Sequence, residues 1–407
     1  MPKCRVCSAF ALSGALATVL SIAAGTACAA QRTFVASYGV DTNACSLVQP
    51  CRTFTQALTL TASGGEIIAL DSAGYGPVTI DQSVSIIAAP GVYAGITASG
   101  GLNGIDVTGG TVVLRGLSIG TLGSGAIGVN AYDAKVSVED CTISGFQMSG
   151  ILSGGASGQL YVRDTTFRGT NYGIWISTSG TTATVHRANF QGHYTAVALS
   201  NGAEASISDS VFEDNLVGAA VQAADSGTTT KLTISNSVIF GASTSGGITA
   251  SATLGGTVWL QASGNRISRV GIGMDIRSDP SASAFASISG NAISNNFGTG
   301  IMLQGANTHA TIVGNTVSNH STWGILVLQG ASTSISNNAI SGNVEGIYAA
   351  DSGTKVTVGG NVVADNTGAG FRNDAPATFM TRGDNTLTGN SGGGGQTFGP
   401  ITTVGGF

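Results

Sequence analysis

The chain has 407 residues, of which 9% are charged and 62 are glycine, and its net charge is −5 at pH 7. So little charge over such a length fits a membrane protein or a β-rich repeat, and the even spread of Gly, Ser, Thr and Asn favours the repeat. Few Lys and Arg, and no basic stripe, exclude a nucleic-acid partner.

Residues 1–30 read as an export signal. Lys3 and Arg5 precede an apolar run from Ala9 to Ala24, and Ala27-Cys28-Ala29 offers small-residue cleavage. Gly25, where a lipid-attachment motif carries Leu, argues against acylation of Cys28. The run is too short for a span of about 20 residues, and nothing later resembles one, so the expected location is secreted or cell-surface. In an oxidising compartment Cys45 and Cys51 are expected to pair as a disulfide, and Cys141 to act as a small buried apolar residue. Residues 31–80 are assigned to an N-terminal strand and a cap helix near Thr53–Leu60, 81–390 to a repeat, and 391–407 to a loose Gly-rich tail.

The repeat is read from an anchor. In "ASISGNAISNNFGTGIMLQG" (286–305), Ile293 has an apolar residue five before it, a small polar residue two before it and Gly-Ile about seven after it. The same pattern falls at Ile119, Ile143, Phe167, Phe190, Phe212, Ile239, Ile267, Val317, Ile340, Val363 and Leu387, at intervals of 22 to 28 residues. Such a period predicts a solenoid. Alternating apolar residues within each unit indicate short strands, and the density of Gly and β-branched residues excludes helical units. A leucine-rich repeat would hold Leu at fixed positions, whereas Ile, Val and Phe interchange here. What remains is an all-β parallel solenoid of about twelve coils with a short N-terminal capping helix.

Stacked coils bring equivalent residues to about 4.8 Å of one another. Two before the anchor stand Asn265, Asn291, Asn315, Asn338, Asn361 and Asn385. Three after it stand His193, Asn215, Asn296, His320, Asn343, Asn366 and Asn390. Both series are expected to be amide ladders that tie coil to coil, with Asn also suited to the left-handed backbone of a tight turn.

On "NAISGNVEGIYAADS" (338–352) and "FVASYGVDTNACSLVQPCRTFTQAL" (34–58), the chain resembles the right-handed parallel β-helix superfamily of pectate-lyase-like proteins. The resemblance implies the fold and leaves activity open, since that superfamily houses lyases, hydrolases, esterases, epimerases and non-enzymes. Its enzymatic signatures are missing: no Asp-Asp, His-Gly or Arg-x-Lys, and no Arg-x-Pro-x-x-Arg.

Candidate site residues come from alignment on the anchors. Four before it fall Glu139, Arg163, His186 and Ser208, and three before it Asp140, Asp164, Arg187 and Asp209. Read as uronate chemistry, Asp140, Asp164 and Asp209 would hold Ca²⁺ against a sugar carboxylate, while Arg163, His186 and Arg187 neutralise charge and abstract a proton. Read structurally, the same residues pair across coils. Trp175 is expected to face outward with Tyr172 and Tyr194 close by, as a stacking surface for sugar rings; Trp259 and Trp323 look too isolated to weigh. Three readings follow: a protein that binds a polysaccharide or surface glycan without catalysis and without a cofactor, a Ca²⁺-dependent uronate lyase or epimerase, and a structural or adhesive rod. The missing signatures favour the first. Oligomeric state is left open.

Overall fold

The structure is a computed structural model that describes residues 29–241, 245–391 and 396–405. Nearly all of the expected export signal, with Cys4, Cys7 and Cys28, lies outside the described residues. Three parallel sheets run the length of the molecule, and in each the neighbouring strand lies one coil away in sequence. Sheet A has sixteen strands, from Ala30–Val35 to Thr402–Thr403. Sheet B, from Ala73–Gly74 to Thr386–Thr388, and sheet C, from Val78–Ile80 to Thr397–Phe398, have fourteen each. Each coil contributes one strand to A, then B, then C.

The anchors are the centres of the sheet B strands. Ile143 pairs with Phe167, Phe167 with Phe190, Phe190 with Phe212, and the series continues in register to Leu387. Inside the coil the three Phe rings stack at 4.9 and 5.0 Å. Fourteen coils rather than twelve are present because the first two sheet B strands escape the pattern. Ile96 does pair with Ile119, but five residues before it stands a turn glycine, Gly91, and the coil before has only Ala73–Gly74. Coil stacking starts at Thr61–Ala69 in sheet A, inside the segment assigned to strand and cap. At the other end, Thr397–Phe398 and Thr402–Thr403 of the Gly-rich tail add strands to sheets C and A.

Both ladders form. Asn291 accepts at Oδ1 from the backbone N–H and side-chain amide of Asn265, and gives the same pair of bonds to Asn315, all at 2.9–3.0 Å. The pattern repeats through Asn338, Asn361 and Asn385. The ladder Asn is not itself left-handed. That conformation belongs to the residue before it: Gly264, Gly290, Gly314, Asn337 and Gly360 all have positive φ. The ladder side chain is committed to the interior, so the chain reverses one residue earlier, where Gly or Asn bears the strain most cheaply.

The helix Phe54–Leu60 closes the N-terminal end by burying Phe54, Ala57 and Leu58 against the first coil. Its start is fixed twice. The Thr53 hydroxyl caps Gln56 N–H at 3.1 Å, and Asp41 accepts from the backbone N–H groups of Arg52 and Thr53 at 2.8 and 3.0 Å. Cys45 and Cys51 form the expected disulfide beside it, and Cys141 is buried as a free thiol. Among the described residues no helix is long and apolar enough to cross a membrane.

Candidate functional site

The charged strip assembles in the expected register at the C-terminal ends of sheet A strands, with Glu139 opposite Arg163, Arg163 opposite His186 and His186 opposite Ser208. Its charges are spent on one another. Glu139 accepts from Arg115 and Arg163, both at 3.0 Å, and from Ser137 at 2.8 Å. Burial pushes its carboxyl up, but these donors outweigh it and hold the group below the usual range. Arg187 grips Asp164 through two bonds of 2.7 and 2.6 Å, which lowers the Asp164 carboxyl, and Arg163 adds a third at 3.0 Å.

His186 is equally committed. Arg187 Nη1 donates to its Nε2 at 2.7 Å, which leaves the ring proton on Nδ1, facing Ser208 Oγ at 2.9 Å and Asp209 at 3.3 Å. The lone pair a general base would use is already occupied. Asp140, Asp164, Arg187 and Asp209 share another property: all four have φ near +50° and occupy the left-handed turn position that later coils fill with Gly or Asn. Asp is one of few residues that tolerates it, so a backbone reason accounts for the acids in this column. Among the described residues no group of three or more His, Cys, Asp or Glu is disposed to hold a metal ion. The donor set does not fit Ca²⁺, and no metal-dependent step follows from it.

Tyr172 and Trp175 lie on sheet C, a different face of the same coils, so the structure does not join them to the charged strip. Their rings are 5.2 Å apart and tilted, and the Trp175 indole N–H donates to Ser200 at 3.2 Å. The register partner of Tyr172 is Thr195, which leaves Tyr194 one residue earlier on the turn and 58% exposed.

A surface that the sequence reading passed over lies on the outer face of sheet A. Lys231, Trp259, Phe285, His309 and Ser332 pair in succession along one column. Trp259 and Phe285 stack at 4.5 Å and 18°, and Phe285 and His309 at 5.5 Å and 21°. One ring per coil at the strand spacing gives a continuous aromatic ridge. Trp259 ends the stack, 50% exposed, its far face directed toward the Lys231 coil. Two residues further along each strand, a parallel column of Thr233, Gln261, Ser287, Thr311, Ser334 and Thr357 carries only hydroxyl and amide groups. Ridge and polar column together line a groove of about 820 Å³ along the solenoid axis. Its charged residues, Lys231 and Glu204, stand at one end and pair at 3.4 Å.

The signal for this groove was present in the sequence. Trp259, Phe285 and His309 each stand eight residues before an anchor, and Gln261, Ser287 and Thr311 six before. The columns that define the repeat all lie within five residues of the anchor, so an aromatic eight before it falls outside the pattern and Trp259 reads as isolated.

The family model described as "Right handed beta helix region" matches residues 67–210, 99–258 and 252–400. Among curated proteins none matches this sequence. Of solved structures, a GH136 lacto-N-biosidase from Eubacterium ramulus shares 12% identity at TM-score 0.52, covering 81% of this chain and 67% of that one. A tailspike protein double mutant of E. coli bacteriophage HK620, in complex with a pentasaccharide, shares 12% identity at TM-score 0.50, covering 90% and 80%.

Proposed function

We propose that this chain, which belongs to the right-handed β-helix family, is an exported protein that binds a polysaccharide or surface glycan, with the sheet A groove as its contact surface. One observation carries the reading: an aromatic ridge and a column of uncharged hydroxyl and amide groups run side by side for several coils. Sugars offer apolar C–H surface and hydroxyls together, and a site built for them supplies aromatic carbon and neutral hydrogen-bonding groups in close alternation. The two solved structures support no more than the compatibility of this fold with sugars. The Cys45–Cys51 bridge supports an oxidising location.

No feature favours catalysis at the 139–209 strip, whose acids and bases neutralise one another. Glycan-array binding tests the reading with Trp259→Ala beside Trp175→Ala. Wild type and Trp175→Ala should retain glycans that Trp259→Ala loses by at least about fivefold, since a stacked aromatic is worth about 1 kcal/mol or more. Loss in Trp175→Ala with retention in Trp259→Ala would transfer the site to sheet C, and no glycan bound by the wild type would leave the rod.

A further inference from the structure

We infer that the sheet A groove selects an extended, uncharged glycan laid along the solenoid axis, about one sugar per coil, and rejects polyuronates. The inference rests on the glycan reading above and adds the class of sugar.

It follows from spacing and charge. The polar column offers one hydroxyl or amide group per coil at the strand repeat of about 4.8 Å. An extended β-1,4-linked pyranose chain advances by close to that step per residue, so its hydroxyls meet the column in register; a coiled or branched chain loses register after one or two contacts. The ridge is equally periodic. Because its rings lie face to face, they present edges along the groove, and Trp259, the largest of them, offers the widest edge to a sugar laid along the axis. Sugars beyond it meet carbon edges on one side and Gln261, Ser287 and Thr311 on the other.

Charge decides against acidic sugars. A polyuronate brings a carboxylate with every residue, and each needs a cation or several donors to replace its hydration. From Trp259 to Ser334 the groove carries no Lys or Arg. Lys231, already opposite Glu204, stands at one end, and Lys355, the register partner of Ser332, flanks the other. The carboxylates on the four coils between them would therefore enter without partners, whereas a neutral chain gives up only hydroxyl hydration that the column restores.

The test is calorimetric titration of the full chain with two sets of oligosaccharides, one to eight residues long. One set is neutral and β-1,4-linked (gluco-, manno- and xylo-oligosaccharides), the other oligogalacturonate. In at least one neutral series affinity should rise with length to about six residues, one per polar side chain of the column, and level off beyond. Oligogalacturonates of equal length should bind at least about tenfold more weakly, and Thr311→Val should weaken the hexamer while leaving the trimer within twofold. Oligogalacturonate binding that equals the neutral series and vanishes in Trp259→Ala would overturn this inference and leave the glycan reading standing. A neutral monosaccharide that binds as tightly as the hexamer would also overturn it. Binding of no glycan, or binding indifferent to Trp259→Ala, would overturn both.

Discussion

His320 occupies a ladder position that its neighbours fill with Asn, and the exchange has a measurable cost in acid. Its Nδ1 accepts the Asn296 backbone N–H at 3.2 Å, which requires the neutral ring, and the His320 backbone N–H donates to Asn343 Oδ1 at 3.0 Å. Burial pushes its pKa down to about 4, and buried His193, which accepts from Thr170, is lowered for the same reason. With the folded pKa below the unfolded value of about 6.5, the unfolded chain binds more protons between these values, so stability falls as pH drops from 6.5 toward 4. His320 contributes a slope of up to about 1.4 kcal/mol per pH unit in that window, and His193 acts in the same direction. Urea unfolding at pH 5 and 7.5 should show the loss, and His320→Asn should shrink it while leaving stability at pH 7.5 nearly unchanged. An equal loss in the variant would place the pH effect elsewhere. At this scale the sequence revealed positions better than roles. The ladders stand where the spacing put them, and the charged strip lines up as aligned. The reason for Asp140, Asp164 and Asp209 was hidden, because nothing in their own coils marks the left-handed turn. The same column further along, with Gly264, Gly290 and Gly314, does mark it.

At the scale of the coil, two packing rules hold the stack together. The anchor fills the interior, and a glycine at the start of the sheet C strand lets the next coil settle on it. A Cβ on Gly300, which directly precedes the strand Ile301–Gln304, would lie 2.5 Å from the Gly324 carbonyl oxygen and 2.6 Å from Val317 Cγ1. Gly300→Ala should therefore cost about 1–3 kcal/mol by overpacking. Phe190→Ala opens a void between Phe167 and Phe212 and should cost about 3–5 kcal/mol. Denaturant titration of both variants checks the order, and a neutral Gly300→Ala would show that the coils yield more easily than their spacing implies. The anchor pattern was legible because it is internal, where every coil faces the same constraint. The ridge of Trp259, Phe285 and His309 was not, because outward positions vary freely and only three consecutive coils share an aromatic there.

Over the whole molecule, each coil touches only its neighbours, so stability is close to a sum along one axis and the ends decide where opening begins. The N-terminal end has its helix, its disulfide and Asp41. The C-terminal end depends on Arg372, which lies between the rings of Tyr348 and Phe398 at 4.9 and 5.3 Å and bonds Glu345 and Asp374 at 3.2 Å. Arg372→Ala should raise amide hydrogen exchange across the strands from Phe371 onward and leave the N-terminal coils unchanged; uniform exchange along the chain would mean that the rod opens as one unit. The overall architecture was readable in outline because a single repeat dictates it. The two coils nearest the cap were not, for there Gly91 and Ala73–Gly74 depart from the anchor pattern.

The steady register of the central coils has a genetic corollary. Excising or duplicating one full period, such as the 24 residues from Asn291 through Gly314, rejoins each column to an equivalent partner and asks nothing new of the interior. Such a molecule can lengthen or shorten in whole storeys, and the reach of its binding face would change by the same increments.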